Sequence, residues 1–131
     1  MKHFLIFIFV VISLVSACSM KSPTPSMGVV TPPDSSIFDL DNITYIEIYL
    51  PDFEQEIQLQ ISDDSSFLSI LYDNVFHEEN HRYIPADFFR ENTAYYWRIR
   101  GRDPDNNNFT IFSFIKYRWS DWSECLCFFV R

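Results

Sequence analysis

Thr93-Ala94-Tyr95-Tyr96-Trp97-Arg98-Ile99-Arg100-Gly101-Arg102, with Trp119-Ser120-Asp121-Trp122-Ser123 further along, is the stretch whose reading decides the fold. A β-strand sends successive side chains to opposite faces. Tyr95, Trp97 and Ile99 therefore share one face, and Arg98, Arg100 and Arg102 form a guanidinium row on the other. Indole is the best cation–π acceptor among side chains, so Trp119 and Trp122 are the natural cover for that row. Stacking them gives the arginines a partner and removes two tryptophans from water. The ladder expected from these residues is Arg98, Arg100, Trp119 and Trp122, a statement about architecture rather than about a ligand.

The amino terminus is the second informative region. Lys2 precedes a run from Phe4 to Val15 that is apolar except for Ser13. A bilayer span needs about 20 apolar residues; this run has the proportions of a secretory signal core instead. Leu14-Val15-Ser16-Ala17-Cys18 follows and resembles the bacterial lipobox. That resemblance implies a signal peptide over 1–17 and acylation of Cys18 as the first mature residue. Lys21 and Pro23 interrupt any longer apolar stretch. Residues 18–33 carry Pro23, Pro25, Pro32 and Pro33 among small polar residues, which predicts a short extended tether, leaving 34–131 as one domain.

The chain of 131 residues has a formal net charge of −8, which becomes about −9 once Lys2 leaves with the signal peptide. Such an acidic balance excludes nucleic acid as a partner, since phosphates demand clustered Lys and Arg. With 18% aromatic residues and only 2 glycines, the composition favours packed β-structure over disorder. Cys125 and Cys127 stand two apart on one face of a strand, with Cα atoms roughly 6.5 Å apart. Parallel side chains at that separation suit a disulfide poorly, so both read as free thiols. A two-cysteine metal site would need further ligands, and none lies nearby in sequence.

Strand-like runs recur at short intervals: 43–49, 57–61, 67–72, 82–84, 95–102 and 125–130. Turn residues separate them, notably Ser62-Asp63-Asp64-Ser65-Ser66, and no helical period is sustained. The expectation is an all-β sandwich.

At this point a resemblance becomes specific. Phe89-x-x-x-Thr93-x-Tyr95 is similar to the tyrosine corner of fibronectin type III domains. Ile57 to Phe67 resembles the third strand and following turn of their bacterial members. Tyr96 to Arg100 resembles the strand before the last, and Trp119 to Ser123 with Phe128-Phe129-Val130 the entry into the final strand. The resemblance covers about residues 31–131 and implies a seven-stranded fibronectin type III/immunoglobulin-like β-sandwich. Two departures fall where the family has core aromatics: Tyr49 stands for a tryptophan and Ile57 for a tyrosine, and both are expected as core substitutions. The third is the length of segment 103–118. Type I cytokine receptors share the tryptophan repeat, which makes a eukaryotic secreted receptor-like module the rival reading; the lipobox and the lack of that family's upstream disulfide pattern count against it.

His77-Glu78-Glu79-Asn80-His81 matches the zincin pattern, in which two histidines one helical turn apart hold zinc and the glutamate polarises water. That chemistry needs a helix, and the surroundings here read as a polar loop between strands. Asp103 to Asn108 offers oxygen ligands at calcium-loop spacing, but Asn108 and Phe114 occupy the positions that should be Gly and Glu, so turn chemistry is the better reading. No nucleophile–base pair and no phosphate loop appears, which leaves a non-catalytic reading with no cofactor. In segment 103–118, Phe109, Ile111, Phe112, Phe114, Ile115 and Tyr117 exceed what a solvent-exposed turn requires and form a candidate partner-binding loop; a hairpin folding back onto the sheet is the alternative. The functional expectation is a bacterial envelope lipoprotein, held to the cell membrane or outer membrane by its lipid anchor, that binds or spaces. Its partners would be the membrane and an envelope protein or glycan, with the zinc hydrolase as the alternative.

Overall fold

The computed structural model describes residues 24–25, 27, 30–50, 56–77, 79–102 and 119–131. Among them run seven strands: β1 (Ser36–Phe38), β2 (Tyr45–Tyr49), β3 (Glu56–Ser62), β4 (Ile70–Phe76), β5 (His81–Pro85), β6 (Thr93–Arg102) and β7 (Leu126–Val130). They form two sheets, one of five strands in the order β1-β7-β6-β3-β4 and one of two, β2-β5. The chain is all-β. Every pairing is antiparallel except β1 with β7.

Alternation builds the core. Ile46 and Ile48 from β2 and Ile84 from β5 face Ile57, Leu59 and Ile61 from β3 and Tyr95, Trp97 and Ile99 from β6, all buried. Leu126, Phe128 and Val130 complete it from β7. Aromatic edges lock the centre: Phe89 meets Tyr95 and Phe128 in T-shaped contacts at 5.0 and 5.6 Å. The Tyr95 hydroxyl accepts the Arg90 backbone N–H at 2.8 Å, tying the entry of β6 to the preceding turn.

Several sequence expectations change here. The interior takes in residues assigned to the tether: Met27 and Val30 are buried with the core, and Pro32 is fully buried. Thr31 and Tyr49 exchange backbone hydrogen bonds at 2.9 Å in both directions, so the chain first lies along β2. A turn at Pro33–Ser36, with Ser35 at φ 64°, carries it to β1 on the other sheet. Three residues is too short a strand for a hydrophobic period to reveal it, and β1 escaped the sequence reading. Tyr49 is not a core residue. Ile48 and Leu50 take the interior positions, and strand parity turns Tyr49 outward. Ile57 is buried as expected.

The run 67–72 is not one strand. Asp64 accepts the backbone N–H groups of Ser66 and Leu68, and the Ser66 hydroxyl donates to it at 2.7 Å. These bonds hold a longer turn in which Phe67 sits at φ 56°, and β4 begins only at Ile70. Local side-chain bonding to backbone overrides an apolar run at this position. The three bonds to Asp64, led by the Ser66 hydroxyl, hold its carboxyl below the usual carboxylate range.

Candidate functional site

The outer face of the five-stranded sheet carries a ladder built from three elements. β6 presents Arg98, Arg100 and Arg102 outward. Trp122 lies between the first two, 4.2 Å from Arg98 and 4.5 Å from Arg100, measured from guanidinium carbon to ring centroid. Trp119 lies between the next two, 5.1 Å from Arg100 and 4.5 Å from Arg102. Phe67 closes the far end over Arg98 at 4.1 Å. The order is therefore Phe67, Arg98, Trp122, Arg100, Trp119, Arg102, ring and cation in alternation.

The guanidinium edges are engaged as well. The β3–β6 register sets Gln60 opposite Arg98, Gln58 opposite Arg100 and Glu56 opposite Arg102. Arg98 donates through Nε and Nη2 to Gln60 Oε1 at 3.1 and 2.9 Å. Arg100 Nε donates to Gln58 Oε1 at 2.7 Å, and Arg102 Nε to Glu56 Oε2 at 2.8 Å. Both glutamine amides in turn donate to Asp73 on β4, at 2.8 and 3.0 Å. Desolvation under the indoles lowers the pKa of Arg98 and of Arg100, with Asp73 opposing it in both. The arginines stay charged, since their ordinary value is far above neutrality.

The serines of the repeat explain why it lies where it does. Ser120 N–H donates to the Gly101 carbonyl and Ser123 N–H to the Ile99 carbonyl, each at 2.8 Å. Their hydroxyl oxygens accept the Gly101 and Ile99 backbone N–H groups, each at 3.0 Å. Each serine thus gives β6 the donor and acceptor that a neighbouring strand would supply, beyond the point where β7 pairing stops at Trp97–Leu126. Spacing the serines three apart lets them reach alternate β6 residues while both indoles turn onto the arginines.

The two-stranded sheet has a different outer face. Tyr45, Glu47 and Tyr49 from β2 stand beside Pro85, Tyr83 and His81 from β5. Tyr45 and Tyr83 meet edge to face at 5.0 Å and remain 50% and 56% exposed. His81 stacks between Tyr49 and Tyr83 at 4.5 and 5.9 Å, and its Nδ1 lies 2.5 Å from Glu47 Oε1. This bears on the histidine motif. His77 directly follows β4 in one sheet while His81 opens β5 in the other, so the helical turn a zincin requires is replaced by a crossover between sheets. Among the described residues no group of three or more His, Cys, Asp or Glu side chains is arranged to hold a metal ion.

Cys125 and Cys127 are both free, the first exposed and the second half-buried. Partial desolvation and the neighbouring Cys127 push the Cys125 thiol up, against the pull of Arg98. Cys18, the 103–108 calcium-like stretch, and Phe109, Ile111, Phe112, Phe114, Ile115 and Tyr117 lie outside the described residues. No described helix is long and apolar enough to cross a membrane.

Sequence reasoning missed the glutamine shelf and Phe67. Gln58 and Gln60 alternate with Ile57, Leu59 and Ile61, so their outward face was readable; what it paired with was not. No family model matches the chain, and no curated protein matches it.

Proposed function

We propose that the chain is a lipid-anchored protein of the bacterial cell envelope whose mature part is one fibronectin type III-like sandwich, working without catalysis as a binding or spacing module. The observation that carries the domain assignment is the strand order β1-β7-β6-β3-β4 over β2-β5, with the tryptophan–serine repeat laid along β6. The anchor rests on Leu14 to Cys18. At about 0.8 kcal/mol per buried methylene, two or three acyl chains hold such a domain at a membrane essentially permanently.

The engaged state of the arginine ladder supports a structural role for it and moves attention to segment 103–118 as the partner-binding element. Its ends are Arg102 and Trp119, which stack on each other at 4.5 Å. A short turn can therefore bridge them, and loop length itself costs little, about 0.6 kcal/mol per doubling.

Two variants test the reading. Cys18→Ala should abolish incorporation of labelled fatty acid and leave an unprocessed precursor; processing and membrane retention in that variant would refute the anchor. Replacing 105–116 with Asn-Gly should leave the domain folded and remove its envelope partner from a pulldown, whereas a collapsed domain would assign Phe112 and its neighbours to the core.

A further inference from the structure

Cys125 and Cys127 belong neither to the ladder nor to the tyrosine face. Leu126, Phe128 and Val130 are buried, so alternation sends both cysteines to the outer face of the five-stranded sheet. Their Cα atoms are about 6.5 Å apart with side chains projecting the same way, whereas a disulfide wants Cβ atoms within about 4.5 Å. The same arrangement suits two sulfurs converging on an ion above the strand. Rotation about χ1 brings sulfur atoms towards each other, and an ion between them needs a span of about 4.6 Å, twice a metal–sulfur bond of about 2.3 Å. The backbone beneath is fixed on both sides. Cys127 pairs with Tyr96 of β6, its N–H donates to Asp34 Oδ1 at 2.9 Å, and its carbonyl accepts Ser35 N–H at 2.8 Å.

The missing third ligand selects the ion. Zinc in a structural site takes four ligands, and no group of three metal-binding side chains exists among the described residues. Two thiolates alone suit a soft d¹⁰ cation that accepts linear coordination. A bis-thiolate complex of a monovalent ion carries one negative charge, and the Arg98 guanidinium acts on Cys125 from the neighbouring strand. Phe67, Trp122 and Gln60 hold that guanidinium in place.

We propose that Cys125 and Cys127 form a two-coordinate site for copper(I). Binding replaces two S–H bonds by two Cu–S bonds: two thiols and Cu⁺ give an anionic bis-thiolate complex and release two protons, with no change of oxidation state. The test is an anaerobic copper(I) titration of the detergent-solubilised full chain carrying Cys18→Ser, in competition with bicinchoninate. The expected result is one copper per chain, two protons released, two sulfur neighbours by X-ray absorption, and no displacement by a tenfold excess of zinc. Cys125→Ser and Cys127→Ser should each weaken binding by more than the roughly 10–100-fold that loss of an outer-shell partner costs. Alkylating both thiols of the folded protein should abolish it without any further substitution. Undiminished binding after alkylation, one copper per two chains, or displacement by zinc would each overturn the proposal.

Discussion

The two outer faces of the sandwich are both rich in aromatic side chains, yet they use them in opposite ways. On the five-stranded sheet every ring of the ladder lies against a cation, and each cation has an amide or carboxylate at its edge. On the two-stranded sheet Tyr45 and Tyr83 touch mainly each other and stay about half exposed. The difference lies in the number of strands that supply the face. The ladder draws on β3, β4, β6 and two connecting segments, so its contacts bind parts of the chain far apart in sequence. The tyrosine face draws on β2 and β5 alone, whose backbone pairing already fixes them. Aromatic content by itself says little about stability; what a ring ties together decides its contribution.

The largest expected contrast comes from removing one ring on each side. Trp122→Ala uncovers two guanidinium groups, each stack being worth about 0.5–1 kcal/mol when exposed and about 2 when desolvated. A loss of about 2 kcal/mol in urea unfolding is expected, against less than about 1 kcal/mol for Tyr83→Ala. Equal losses would erase the distinction between the faces. Ser123→Ala comes next. It leaves the buried Ile99 N–H without its acceptor, at a cost of about 1–2 kcal/mol, and faster exchange of the Ile99 amide should accompany the drop in unfolding midpoint.

The turn that delivers Phe67 to the ladder gives the smallest effect and a pH signature. Asp64 has a depressed carboxyl pKa, so it binds fewer protons folded than unfolded, and its contribution is complete above the ordinary value of 3.8. As pH falls through the lower folded value the contribution vanishes. Unfolding midpoints of the wild type and Asp64→Ala should therefore differ at neutral pH and converge in acid; a gap that persists below pH 3 would assign the effect to something other than the carboxylate.

Much of this was legible beforehand, for a physical reason. Alternation in 93–102 identified both faces of β6, and arginine opposite core aromatics left tryptophan as the fitting cover. The shelf from Gln58, Gln60 and Asp73 was not, because it depends on cross-strand register, which no single strand encodes. Phe67 was hidden inside an apolar run whose start is set by hydrogen bonds to Asp64 rather than by hydropathy. Tyr49 was misplaced by family analogy where the parity of Ile46 and Ile48 pointed outward. Met27, Val30 and Pro32 were read as tether because proline-rich composition outweighed their apolar character.

The claim at the centre of this account is that the ladder is a coupled unit rather than rings and cations that happen to be adjacent. A double-mutant cycle on Arg98 and Trp122, measured by equilibrium urea unfolding of the wild type, Arg98→Ala, Trp122→Ala and the double variant, tests it most directly. With the pair 4.2 Å apart, a coupling energy of about 1 kcal/mol is expected. Additive losses, with coupling below about 0.3 kcal/mol, would contradict the account.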